Sequence, residues 1–197
     1  MSELIAGRIG EIVEATTAAF TARCHELYVA PALGTLVRAG GNNPVLGIVA
    51  EVRTQSLDPS RRPIAMGVDE ETEEAVYEHN PQLNRLLSTE FQAIVVGYES
   101  ESGLKRHLSP FPPRIHSFVY ECGRDRLREF SSSYEFLPSL LNSPIGPQDE
   151  LIAAFLRYSS LTQEDAQAYL VGAGKALAPL LIGQIQRLNN ILIRLIS

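Results

Sequence analysis

Between Gly7 and Val52, four strand-length runs crowd into fewer than fifty residues. They are Gly7 to Glu14, Phe20 to Tyr28, Leu33 to Arg38 and Val45 to Val52, each rich in Val, Ile, Leu, Thr or Phe. Such residues fit a pleated, half-buried surface better than a helix. Gly40-Gly41-Asn42-Asn43-Pro44 separates the last two, a cluster suited to a turn with positive φ. In the last run Leu46, Ile48, Ala50 and Val52 share one face by two-residue periodicity, and Val45, Gly47, Val49 and Glu51 share the other. Four short strands at this density predict an antiparallel barrel or sandwich.

The strand pattern is interrupted from Arg53 to Thr89. Ser56 to Pro63 is turn-like, since Asp58-Pro59 disfavours helix, and the acids after Val68 suit the N-terminus of a helix starting at Asp69. Asn80-Pro81 should stop it, with a short helix from Pro81 to Leu87. Strands resume at Phe91 to Tyr98, apolar on both faces, then Leu104 to Ser109 and Ile115 to Cys122. Ser109 to Pro113 cannot donate a full ladder and reads as an edge or crossover.

From Gly123 the apolar period lengthens towards 3.6. Arg124 to Leu141 reads as one or two helices broken at Ser131-Ser132-Ser133, and Pro147 sits near the start of a helix carrying Leu151, Ile152, Phe155, Leu156 and Ser159. Thr162 with Asp165 resembles a capping box opening Gln163 to Val171. A last helix is expected from about Gly174 to Ile196, with a seam of Leu177, Leu181, Ile185, Leu188, Leu192 and Leu195. A helix apolar over most of its circumference must be buried. Leu181, Ile185, Leu188, Leu192 and Leu195 are therefore the candidate packing or oligomerisation residues.

Composition narrows the function classes. The net charge is −6 and the pI near 5.3, so no global field favours nucleic acid or an anionic membrane. Asp69, Glu70, Glu71, Glu73, Glu74 and Glu78 account for all of that charge, because the remaining acids equal the 17 bases. Cys24 and Cys122 do not make a disulfide framework and read as free thiols in a reducing compartment. Met1 to Ile5 lacks the basic and apolar regions of a signal peptide, and no segment is apolar enough for a membrane span. A cytoplasmic location is the expectation, with 45% hydrophobic residues enough for a core.

Arg8-Ile9-Gly10-Glu11-Ile12-Val13, Leu33-Gly34-Thr35-Leu36-Val37, Val45-Leu46-Gly47-Ile48-Val49 and the Pro112-Pro113-Arg114-Ile115-His116-Ser117-Phe118-Val119 approach to the last strand resemble the HAS barrel. That is the small β-barrel in the N-terminal regions of HerA-type DNA translocases and of rotary ATP synthase subunits. The resemblance covers roughly the first 120 residues. It implies a barrel that crowns a ring and mediates assembly, followed in those families by a nucleotide-binding domain. After Cys122 this sequence departs from the pattern.

No stretch supplies that missing module. Gly172-Ala173-Gly174-Lys175-Ala176 ends in Gly-Lys as a Walker A loop does, but Tyr169 replaces the first Gly, Ala176 replaces the hydroxyl, and no strand precedes it. Micromolar ATP binding is therefore not expected. Cys24 and His25 are adjacent and point to opposite faces of a strand, and His116 lies six residues from Cys122, about 20 Å along a strand. Neither pair can share a substrate or a metal, and no cofactor is implied. Arg61-Arg62, between Pro59 and Pro63, could hold a carboxylate or phosphate bidentately, or pair locally with Asp69 or Glu70.

The sequence thus predicts an α+β chain. Residues 1–123 form an antiparallel six-stranded β-barrel with a long insertion at about 53–89, and 124–197 form a C-terminal helical domain. The leading expectation is a non-enzymatic assembly or protein-interaction module that self-associates or binds a protein partner. One alternative is an accessory factor of a ring ATPase, a DNA translocase or ATP synthase. Another is a small-molecule enzyme or sensor using the Arg61-Arg62 loop.

Overall fold

A computed structural model describes residues 7–58, 60 and 62–196, and among them the chain is α+β. The strands are β1 (Arg8–Ala15), β2 (Ala19–Cys24), β3 (Leu36–Ala39), β4 (Val45–Ser56), β5 (Leu87–Ser100), β6 (Gly103–Lys105) and β7 (Phe118–Glu121). They form one antiparallel sheet in the order β2-β1-β7-β3-β4-β5-β6. A further pairing sets Ala19–Arg23 of β2 against Glu90–Ile94 of β5. Hydrogen bonding therefore runs from β1 through β7, β3, β4 and β5 to β2 and back to β1. β6 hangs from β5 as a hairpin.

Side-chain alternation gives the sheet two buried faces. Ile12, Phe20, Ala22, Cys24, Val37, Ala39, Val49, Phe91, Ala93, Val95 and Val119 form one apolar core. Leu36, Leu46, Ile48, Ala50, Ile94 and Val96 point the other way and share a second core with the helices. β5 feeds both cores with alternate residues, which is why Phe91 to Tyr98 reads as apolar on both sides.

α1 (Glu73–His79) and α2 (Leu83–Leu86) lie between β4 and β5. After β7 come α3 (Arg124–Ser131), α4 (Leu137–Leu141), α5 (Gln148–Ser160), α6 (Ala166–Leu180) and α7 (Ile185–Ile196). α5 is the central helix, packed against α3, α4, α6, α7 and β4. Leu151, Ile152, Phe155, Leu156 and Ser159 are all buried there, in line with the periodicity.

Several boundaries differ from the sequence expectation. The sheet has seven strands rather than six, because the short β6 adds an edge. β2 ends at Cys24, and Tyr28 takes a φ of 66° in the loop beyond. β7 begins only at Phe118, since the chain turns at Arg114–Ser117 with His116 at a φ of 65°. β4 and β5 run on to Ser56 and from Leu87 as a two-stranded arm, which shortens the insertion. α1 starts after Thr72 rather than at Asp69, because the Thr72 hydroxyl accepts the Ala75 N–H at 3.2 Å.

The capping box is not formed. Asp165 alone caps α6, accepting the Ala168 N–H at 2.8 Å, while the Thr162 hydroxyl donates back to the Ser159 carbonyl at the end of α5. The single closing helix is also not formed. Gly172 to Lys175 lies inside α6, and Pro179 falls in its last turn. Gly183 then reverses the chain with a φ of +82°, a conformation that favours glycine, and α7 starts afresh at Ile185.

Candidate interaction surface

Most of the helical layer lies over the stretch of β3, β4 and β5 where Leu36, Leu46, Ile48, Ala50, Ile94 and Val96 point outward. Across β7, β1 and β2 the outward residues have a different character. Register alone aligns Phe118 with Glu11, Glu11 with Arg23, Arg23 with Glu90, and Glu90 with Arg53. The result is a row of alternating charge across five strands, with an aromatic ring at one end. Opposite charges in directly facing positions stabilise a sheet, whereas like charges would oppose it.

Glu90 is the centre of that row and is only 4% exposed. Arg23 donates to its Oε1 through Nε at 3.1 Å and Nη2 at 2.9 Å. Arg53 Nη2 reaches Oε2 at 3.2 Å, and Gln55 Nε2 the same atom at 3.3 Å. A buried carboxylate needs such partners, because its lost hydration must be replaced by charge-assisted hydrogen bonds. Both arginines keep their side chains nearly half exposed. They present cationic edges to solvent while neutralising the acid beneath.

A second, parallel row joins Arg38 to Tyr120 and Tyr120 to Arg8. The Arg38 guanidinium lies 4.6 Å from the Tyr120 ring centre, and that of Arg8 lies 4.2 Å from the Phe118 ring centre. Both distances suit cation–π attraction. His25 meets Phe118 edge-on at 6.4 Å between ring centres, and His116 Nδ1 lies 3.5 Å from a Glu11 oxygen. Phe118 remains exposed, as does Val29 on the loop after His25. Nothing local marks this grouping beyond charged residues set between apolar ones, as Arg23 is between Ala22 and Cys24.

Of the arginine pair in the insertion, Arg61 lies outside the described residues. Arg62 is exposed and makes no ion pair with a described residue. The expected local partner Glu70 is instead bonded to His79 at 2.9 Å. α1 and α2 bury no residue. The insertion is held by the Tyr28 and Tyr77 hydroxyls, which are in contact, and by the Leu57 N–H on the Leu86 carbonyl at 2.8 Å.

Both cysteines are free and buried, and they sit in different cores. Desolvation, with the Glu90 charge adding to it, pushes the Cys24 thiol up to about 11. Burial pushes the Cys122 thiol up to about 12. Thiolate is the reactive form, so neither side chain is set up as a nucleophile at neutral pH. Iodoacetamide should label neither cysteine in the native protein at pH 7.5, and both once urea unfolds it, as read by mass spectrometry. Because folding raises both values, the linked stability is intact below the ordinary thiol value of 9.0 and falls as pH rises through the folded ones.

A cleft of about 350 Å³ opens between β2, β5 and the link from α4 to α5. Phe20, Ile94, Leu108 and Ile145 contribute its apolar wall, with Thr21, Gln92 and Asn142 as polar groups and Glu14 at its edge. No described residues form a cluster of three or more His, Cys, Asp or Glu side chains able to hold a metal ion.

The predicted helical seam is divided between two elements. Leu181, at the end of α6, and Leu195 are buried, and Leu188 and Leu192 are half-buried. Ile185 is 64% exposed, whereas Ile191, outside that seam, is fully buried. With α7 detached from α6, its phase is set by packing on α5, where Arg187 reaches Asp149 at 2.7 Å and Arg194 reaches Glu150 at 2.8 Å. No helix among the described residues is long and apolar enough to cross a membrane. No protein-family model matches the chain, and no curated protein matches it.

Proposed function

We propose that this chain is a non-enzymatic assembly and protein-interaction module. The observation that carries the reading is the aromatic and arginine-rich outer face of β3, β7, β1 and β2, with Arg38, Tyr120, Phe118, Arg8 and Arg23 side by side. Tyr, Phe and Arg are enriched at protein interfaces, and exposed aromatic groups ringed by charge are typical anchors there. The circuit of pairings supports a closed six-stranded barrel of the HAS type, with β6 as an appended hairpin and a helical region following. The resemblance to HAS barrels carries an alternative reading, in which the partner is a ring ATPase with the same barrel. The alternating charge row would fix the register of docking rather than dominate its affinity.

The test compares affinity capture from native lysate by the wild-type chain and by Phe118→Ala/Arg8→Glu. Both substitutions sit on the surface, so the melting temperature is expected to stay within a few degrees. A protein held by the wild type, identified by mass spectrometry, should be retained at least about tenfold less by the variant, since hot-spot truncations cost roughly 1–4 kcal/mol. Equal retention by the two chains would overturn the reading.

A further inference from the structure

Thr21 stands apart on the outer face of β2. It is only 4% exposed, yet its hydroxyl makes no hydrogen bond with a described residue. A hydroxyl taken out of water without a partner is unfavourable, so nearly all such groups are satisfied. Register places Thr21 between Glu14 of β1 and Gln92 of β5, and all three line the cleft beside the α4–α5 link. Directly facing residues stand about 5 Å apart between Cβ atoms, so the longer Glu14 and Gln92 side chains can meet above Thr21. Gln92 is half-buried and hydrogen-bonds to no described residue, and Glu14 forms no ion pair among them.

Next to this polar trio the cleft is apolar. Ala19 faces Ile94 in the next outward pair, and Leu108 and Ile145 add to the wall from neighbouring loops. The helical side is held in place. Gly146 has a φ of +69°, and a Cβ there would stand 2.5 Å from the Ala50 carbonyl oxygen, so the link lies directly on β4. The Ile145 N–H donates to Ser143 Oγ at 3.1 Å, and Asn142 Nδ2 donates to the Pro138 carbonyl at 2.8 Å. A site fixed in advance binds without a large ordering cost. Its volume of about 350 Å³ is at the lower end for small-molecule pockets, which are mostly apolar with a few placed polar groups.

We infer that this cleft binds a small primary amine carrying a compact apolar group. An ammonium, like that of lysine, has three donors and no acceptor. Glu14, Thr21 and Gln92 each supply an oxygen acceptor, and Glu14 supplies the opposite charge. The apolar group rests on Ala19, Ile94, Leu108 and Ile145. An anionic ligand would meet Glu14 with like charge, and no described residue lining the cleft is Lys, Arg or His. A wholly apolar ligand would leave Thr21 and Gln92 without partners. The inference does not rest on the proposed protein-interaction face, and direct titration of the pure chain reads the cleft alone.

The experiment titrates the full chain with phenethylamine and with hexylamine at pH 7.5, followed by nitrogen-15 NMR and calorimetry. Both amines should saturate with dissociation constants at or below about 1 mM, shifting amides in residues 18–21, 92–95 and 142–145. 2-Phenylethanol, with the same ring and chain but no charge, should bind at least about tenfold more weakly, because charge-assisted hydrogen bonds are the strong ones. Glu14→Gln, on an exposed side chain, should weaken both amines at least about tenfold at an unchanged melting temperature. Thr21→Val should weaken them too, while the melting temperature holds or rises, since the hydroxyl it removes has no partner within the chain. Failure of both amines to saturate by about 10 mM would overturn the inference. So would phenylacetate or 2-phenylethanol binding as tightly as phenethylamine, or undiminished amine affinity in either variant.

Discussion

Phe155→Ala is expected to lower the free energy of unfolding by about 3–5 kcal/mol, the cost of deleting a buried phenyl ring and leaving a cavity. Phe155 is fully buried at the middle of α5. Its ring meets that of Phe136 at 4.8 Å between centres with a 77° interplanar angle, and that of Phe130 at 6.1 Å and 79°. Both are edge-to-face geometries, worth something beyond buried area alone. These three rings tie α3, the turn before α4 and α5 to the core that also takes Leu36, Ile48 and Ile94 from the sheet. The substitution should therefore loosen helices and sheet together, giving one cooperative transition at lower urea by circular dichroism and tyrosine fluorescence. A helical signal that melts first, with the sheet signal unmoved, would show that the helices do not depend on this contact.

Gly34→Ala is expected to be nearly as damaging, at about 2–5 kcal/mol, though it adds only a methyl group. Gly34 has a φ of +84°, where an L side chain costs about 1–2 kcal/mol. A Cβ there would also stand 2.8 Å from the Phe155 amide nitrogen and 3.0 Å from the Ala154 Cβ. The first is backbone in the middle of α5, so relief requires moving the helix or the loop. The loop is tethered by the Gly34 N–H on the Val49 carbonyl at 2.8 Å. Overpacking of this sort costs about 1–3 kcal/mol more. Differential scanning calorimetry checks it, and an unchanged melting temperature would mean that the loop yields without disturbing α5.

The two positions lie on one contact, and the sequence disclosed them unequally. Phe155 belongs to a 3.6-residue apolar pattern that identifies the buried face of a helix from composition and spacing. Gly34 reads only as part of a strand-length run, because what it touches is 120 residues further along the chain. The same asymmetry separates the hits from the misses elsewhere. Turn signals placed the breaks near Ser131, Pro147 and Asn80 within a few residues, since proline and serine act on their own backbone. Apolar runs predicted the strands, but not that β5 pairs with both β4 and β2.

By itself the sequence determined the α+β class, the change from strands to helices after Cys122, and that the two cysteines stay unpaired. These follow from local periodicity, backbone restrictions and residue counts, which need no knowledge of neighbours. Only the tertiary structure decided which charges stand together. Glu11, Arg23, Glu90 and Arg53 are aligned by register across strands far apart in the chain. It also decided which side of the closing helix is covered. An amphipathic pattern marks an apolar arc without saying how much of it another element will occupy. Here α5 and α6 take Ile191 and Leu195 and leave Ile185, Ile193 and Ile196 in water, because Gly183 resets the helix phase and the Arg187–Asp149 and Arg194–Glu150 pairs hold it there.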